Sequence, residues 1–359
     1  MNKPLPLIIQ AFRRPADVLG FSLADWDLVL RQAATGRLEA SLAALIDEHG
    51  LTAQVPAAPR EQLGWTTAQS GRHRQAVDWE VRCIAAALAG TGVTVILLKG
   101  AAYAAASLPA ARGRMFTDVD ILVPKERLGE VESALMLHGW IGSHHDEYDQ
   151  RYYREWMHEI PPMQHSKRAS YIDVHHAILP ATAAAHPDPA KLRAAAVPLA
   201  GLARLAVLAP TDMVIHSAVH LFYDGEYDHG LRDLIDIHRL LMHFGPTPGF
   251  WDALVPRARE LEVARPLFYA LRYASTLLAT PIPAAVLAAS QADRPRGALL
   301  ALMDGLFLRA LPPEHASCDS ALTGVARFLL YIRANWLRMP PLLLARHLFH
   351  KAFLSPKGD

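Results

Sequence analysis

Between Gly90 and Lys99 the chain carries an almost unbroken apolar run, Val93–Leu98, rich in β-branched residues. That composition predicts a central β-strand. The pattern after it predicts a Lys99-Gly100 turn, a short helix, a loop with Arg112 and Arg114, and a second strand through Asp118–Val123. Pro124 then opens a helix in which Leu128, Val131 and Leu135 recur at helical spacing until Gly139. Strand, helix, strand and helix in such quick succession predict a compact α/β unit.

The pattern ahead of this unit is helical. Ser22 and Asp25 have the spacing of a capping box. Trp26, Val29, Leu30 and Ala33 form one apolar stripe, and Leu38, Leu42, Leu45 and Ile46 form a second, closed by Gly50. Residues 51–60, rich in Pro and Ala, read as a connector. A long helix follows from Arg60 to Ala89, with Val77, Val81, Ile84 and Leu88 inward. Behind the unit, residues 148–179 predict a β-hairpin: 152–164 outgoing, 165–169 as the turn, 170–179 returning. Alternate strand residues share a face, so Tyr171, Asp173 and His175 point one way and Ile172 and Val174 the other. Residues 180–200 read as a link. From about 180 onward the pattern is helical, with helices expected at 211–222, 229–243, 249–262, 264–279, 295–310 and 320–337. The expected division is a helical region at 1–90, a catalytic core at 91–180 and a helical domain at 181–359.

Composition narrows this picture. Of 359 residues 52% are hydrophobic and the net charge is +1, which is globular and gives no support for an overall basic nucleic-acid binder. Cys83 and Cys318 form no CxxC pair and read as thiols of a reducing cytoplasm. No signal-peptide pattern opens the chain, and no stretch approaches the roughly 20 apolar residues that span a bilayer. A cytoplasmic protein is expected. The apolar stretch 327–354 is interrupted by arginines and two prolines and reads as a packed helix pair with solvated arginines rather than a membrane-surface helix.

Candidate chemistry centres on Asp118 and Asp120, which project from one strand face, and on Asp173, a carboxylate among apolar residues on another strand. Three such carboxylates can hold Mg²⁺, with Mn²⁺ as a substitute, and a pair of ions can clamp an in-line phosphoryl displacement. Gly100 at a strand-to-helix turn admits phosphate to the backbone, Lys99 adds a point charge, and Arg112 and Arg114 neutralise a triphosphate.

The order Leu98-Lys99-Gly100, then Arg114, then Asp118-Val119-Asp120-Ile121-Leu122-Val123, then Asp173-Val174-His175 resembles the DNA polymerase β-like nucleotidyltransferases. Within them it is similar to the branch of uncharacterised bacterial nucleotidyltransferases called NTP transferase family 5. The likeness runs from about residue 20 to 285, through PTDMVIHSAVHLF and LRDLIDIHRLL. It implies an α+β fold, a polymerase β-like sheet with flanking helices. It implies Asp118 and Asp120 as metal ligands, and Asp173 as the residue that completes the site and acts as base. It implies Lys99, Gly100, Arg114 and His175 at the nucleotide. The wider superfamily has Gly-Ser or Gly-Gly at the phosphate turn, whereas Ala101 follows Gly100 here. The implied reaction moves a nucleoside monophosphate from an NTP to a hydroxyl or phosphate acceptor: a small molecule, a modified peptide, a protein or a tRNA. The alternatives are a catalytically idle nucleotide- or partner-binding module, and the same fold transferring another phosphate-linked group.

Other residues carry weaker signals. His175 either contacts nucleotide or orients a carboxylate, and His176 faces away. Asp212, His216 and His220 have helical zinc spacing, though packing or acceptor contact is the better expectation. His144-His145-Asp146 has the letters of a phosphohydrolase doublet in a loop context. Arg232, Asp233, Asp236 and Arg239 are spaced as a solvated ion-pair face, or place Arg232 and Asp233 at a cleft.

Overall fold

The computed structural model describes residues 4–142, 153–154, 156–223 and 225–339. The chain begins with three helices, α1 (Leu7–Arg13), α2 (Leu23–Thr35) and α3 (Glu39–Glu48). Ser22 and Asp25 close the expected capping box on α2, so two of the free amides at its start are satisfied locally. The long helix α4 (Ala57–Leu88) starts three residues before Arg60, leaving a shorter connector. Its inward residues are the expected Val77, Val81, Ile84 and Leu88. The first helix, α1, had no sequence signal strong enough to be expected: Pro4 and Pro6 precede its single short turn-and-a-half of apolar residues.

The α/β unit follows as β1 (Val95–Leu97), α5 (Lys99–Ala105), β2 (Asp118–Leu122), α6 (Leu128–Leu137) and β3 (Trp140–Gly142). Then come β4 (Met163–His165) and β5 (Tyr171–His175), joined by the tight turn at 165–169. The hairpin is therefore present, but its outgoing strand is short. Where described, 153–158 is helical or bent, and Glu159 joins the sheet only through one bridge to His175.

The expectation that the chain is helical from 180 onward is corrected. After α7 (Pro189–Ala194), two strands enter the same sheet, β6 (Val197–Pro198) and β7 (Leu205–Val207). They escaped notice because Leu205–Val207 is only three residues long and lies in an Ala-rich context that suits a helix equally well. Among the described residues the sheet has seven strands in the order β3-β4-β5-β2-β1-β7-β6. The central pairs mix directions: β1 is antiparallel to β2 and parallel to β7, while β2 is parallel to β5. Strands β1 and β2 therefore sit in the middle, which explains why they read as apolar: Val95, Ile96, Leu97, Ile121 and Leu122 are buried.

The remaining helices match the expected spans closely except for one at 284–290, where none was expected. They are α8 (Pro210–Tyr223), α9 (Gly230–Phe244), α10 (Phe250–Glu260), α11 (Ala264–Leu278), α12 (Ala284–Ser290), α13 (Ala298–Ala310) and α14 (Thr323–Arg338). One buried apolar cluster runs from Ile8 through the sheet to Leu330. Among the described residues, no helix is long and apolar enough to cross a membrane. Neither Cys83 nor Cys318 is part of a disulfide. On α14, Arg333 is not a solvated arginine as expected: it donates to the Phe222 carbonyl at 2.7 Å and lies over the Tyr269 and Phe307 rings. The stretch beyond 339, and His144-His145-Asp146, lie outside the described residues.

Candidate active site

The site grows from one register. Strands β2 and β5 run parallel, with Asp118 opposite Tyr171, Asp120 opposite Asp173 and Leu122 opposite His175. The pleat turns Val119, Ile121, Ile172 and Val174 into the core, so Asp118, Asp120, Asp173 and His175 share the other face. Carboxylate oxygens of Asp118, Asp120 and Asp173 all lie within 4.8 Å of one another. The sequence therefore named three residues that the fold does bring together.

They line a cavity of about 280 Å³, bounded by Lys99 on one side, by Met157, His158 and Glu159 on another, and by His216 and His220 of α8. A larger cavity of about 790 Å³ lies between α3, α4 and the turn before β2, and it contains none of the three aspartates. The concentration of ionisable groups marks the smaller one as the chemical centre.

Electrostatics divides the carboxylates. Burial alone would raise the Asp120 pKa, but Lys99 Nζ at 3.3 Å and His175 Nε2 at 3.0 Å outweigh it and hold this group well below the usual carboxylate range. Asp173 feels the charge of His175 only as a minor opposing effect. Burial, then the charges of Asp120 and Glu159, push it up to about 7. Lys99 is itself buried, which works against its charge, yet Asp120, Asp118 and Glu159 raise its pKa overall. His175 is caught between two carboxylates, with Nδ1 at 3.2 Å from Glu159. Burial opposes its protonation, but Glu159 and Asp120 prevail and raise its pKa. His216 is pushed well below the ordinary histidine range by burial and then by Lys99, so it lines the cavity as a neutral ring.

The phosphate turn differs in its details from the sequence expectation. Lys99 has a left-handed backbone, φ 43°, and its ammonium lies against Asp120 rather than standing free. Gly100 is required by a packing contact: a Cβ there would come within 2.5 Å of an Arg114 nitrogen and 2.7 Å of the Phe116 ring. Arg114 does not line the aspartate cavity. It is buried, hydrogen-bonded to Asp236 and 3.8 Å from Asp233, both on α9. Arg112 reaches Glu48 at 3.2 Å on the surface. Neither arginine is thus poised on the aspartates.

The remaining candidates resolve in the same way. Asp212 is fully buried and forms a two-point contact with Arg257 of α10, both distances 2.8 Å. It is therefore not a partner of His216 and His220 in a zinc set. His220 instead faces Asp233 at 3.5 Å. Asp236 and Arg239 are buried, which corrects the solvated ion-pair face. Arg239 donates to the Arg112 carbonyl at 2.6 Å, so this charged strip of α9 ties the helical half to the loop leading into β2. Sequence reasoning missed Glu159 and His158. Both precede the Pro161-Pro162 pair, and only the shortened hairpin strand reveals that the segment bends back to the site.

No curated protein matches the chain, and no solved structure does. The sequence model of a family described as uncharacterised nucleotidyltransferase matches residues 22–279, a span that holds the α/β unit, both carboxylate strands and helices α8 to α11. A match over that much of the chain, centred on the sheet that carries Asp118, Asp120 and Asp173, means that the protein belongs to this nucleotidyltransferase family.

Proposed function

We propose that the protein transfers a nucleoside monophosphate from an NTP to a hydroxyl or phosphate acceptor and releases pyrophosphate. The observation that carries this reading is the register of Asp120 with Asp173, which gathers three carboxylates around one point beside a lysine. The donor set fits a divalent cation: it is all oxygen and crowded, and Mg²⁺ or Mn²⁺ favours such carboxylates. Asp118, Asp120 and Asp173 would hold the metal, which when bound supplies charge neutralisation at the triphosphate.

The chain's own groups do the rest. Asp173 accepts the proton of the acceptor hydroxyl from its place opposite Asp120 on β5. The acceptor oxygen forms a bond to the α-phosphorus, the bond from that phosphorus to the bridging oxygen breaks, and pyrophosphate leaves with the electron pair. His175, held between Asp120 and Glu159, fixes the orientation of Asp120. Lys99 balances Asp120 in the free protein and is near enough to the cavity to meet a phosphate oxygen. Arg114 holds α9 against the catalytic strand and supports the site from behind.

Pyrophosphate release from each NTP, measured in Mg²⁺ with a cell extract as acceptor source, tests the reading. Asp173→Asn is expected to lower the rate by about 10²–10⁴ while NTP still binds. An undiminished rate in this variant would remove Asp173 as base. Absence of release from every NTP by the unaltered protein would remove the transfer reaction itself.

A further inference from the structure

Beside the aspartates, in the lining of the same cavity, stands a second group of ligating side chains. Nitrogens of His158 and His175 and an oxygen of Glu159 lie within 4.8 Å of one another. The three come from two places, the bend at 157–158 with its bridge residue Glu159, and the C-terminal end of β5.

The proton arrangement on His175 makes this group unusual. Ionised Asp120 can only accept a hydrogen bond, so the His175 Nε2 at 3.0 Å must be the donor. The Nδ1 atom then faces the Glu159 carboxylate at 3.2 Å. His175 Nδ1 and the Glu159 oxygen thus face each other, and His158 completes the group beside them. Its Nδ1 is buried with no hydrogen-bond partner among the described residues. An orphaned buried nitrogen is costly, and a metal bound there relieves that cost where a proton shared by His175 and Glu159 does not.

The distances agree. Two ligands at about 2.0–2.2 Å from one tetrahedral ion stand about 3–3.5 Å apart, which matches the 3.2 Å separation of His175 and Glu159. The His158 and His175 rings are neighbours, with centroids 5.3 Å apart and planes 29° apart. A metal-bound histidine characteristically gives its other N–H to a carboxylate, and here Asp120 takes that place.

We propose that His158, Glu159 and His175 form a second, distinct metal site for a borderline first-row cation such as Zn²⁺, adjoining the oxygen-only site of the three aspartates. Two imidazoles and one carboxylate suit Zn²⁺, which Mg²⁺ does not displace readily from nitrogen. An ion there fixes the His175 tautomer that donates to Asp120, and so couples the nitrogen site to the orientation of a nucleotidyl-transfer carboxylate.

The test is metal binding by the full chain and does not depend on transferase activity. The protein is stripped with chelator, loaded with Zn²⁺ in excess Mg²⁺, desalted and assayed for bound zinc; a parallel Co²⁺ loading reads the ligand field by absorption. One retained equivalent is expected, with Co²⁺ bands of a low-coordinate nitrogen-containing site. His158→Ala and Glu159→Gln should each weaken Zn²⁺ by more than the roughly 10–100-fold that loss of an outer partner costs, while Asp118→Asn retains it. Far-ultraviolet circular dichroism checks that the variants fold. No retained zinc in the unaltered chain would overturn the proposal and leave a proton between His175 and Glu159. Zinc lost in Asp118→Asn but kept in His158→Ala would also overturn it, placing the ion on the aspartates. Failure of transfer activity with zinc still bound through His158 would count against the proposed reaction and leave the metal site standing.

Discussion

Asp120 and Asp173 face each other across two paired strands, yet their surroundings give them opposite character. Lys99 and His175 serve Asp120, and nothing comparable serves Asp173. A carboxyl whose pKa is raised by folding contributes stability that is fully present below its unfolded value, near 3.8, and that is lost as pH rises through its folded value, about 7. His175, also raised, adds loss in the same direction at higher pH. In chelator, the thermal midpoint carries this falling contribution between pH 5 and pH 8 on top of an opposing rise from His158, His176, His216 and His238, which burial holds below the ordinary histidine range. Asp173→Asn should remove the part of that slope belonging to Asp173. Saturating Mg²⁺ should restore the midpoint most at the alkaline end, where the carboxylate is ionised. A pH-independent difference between the variant and the unaltered chain in a scanning-fluorimetry series would contradict this account of Asp173.

The three aspartates could be read from the chain because strand alternation is rigid: residues two apart share a face whatever the rest of the fold does. Lys99 and Arg114 show the limit of that logic. Their types suited a triphosphate, but only three-dimensional packing reveals that each is already committed, one to Asp120 and the other to α9. Charge complementarity between distant segments leaves no periodic trace in a sequence. His158 and Glu159 were hidden for a related reason, since a bend before two prolines has no repeating pattern to recognise.

Among the elements, α9 has the clearest structural task. Its Asp233 and Asp236 meet Arg114, and its Arg239 meets the loop carbonyl of Arg112. That loop is docked on α3 by Gly113, where φ is 73° and a Cβ would come within 2.2 Å of the Ala40 carbonyl oxygen. The entry to β2 is thus clamped between two helices, which fixes the direction of Asp118. Breaking a buried pair by removing one member costs about 3–5 kcal/mol, because the other charge stays buried without a partner. Arg114→Met should cost about that much in urea unfolding. The double variant with Asp236→Asn should recover a substantial part, since the stranded charge is gone. Strictly additive losses would mean that the two side chains are not a unit. The element pattern itself was mostly legible: the spans of α2, α4, α8, α9 and α11 follow from apolar periodicity. The strand β7 was not, because three residues carry too few alternations to distinguish a strand from a helix.

Across the whole molecule, the sheet forms a floor and the helices of the second half form a wall. Helix α8 brings His216 and His220 over the same cavity that β2 and β5 supply with carboxylates. The donor site and its wall therefore come from segments about a hundred residues apart in the chain. The helical half was legible as helices, but not as the wall of this cavity, because helix periodicity identifies a buried face without identifying what it covers.

The central claim is that the three aspartates carry out nucleotidyl transfer. The most direct measurement incubates the protein with an NTP labelled at the α-phosphate, in Mg²⁺ and cell extract, beside the same NTP labelled at the γ-phosphate. The account predicts label transfer from the α-position alone, with simultaneous pyrophosphate release, and its abolition in folded Asp118→Asn and Asp120→Asn. Transfer of the γ-label, or an undiminished α-label signal in either variant, would contradict it.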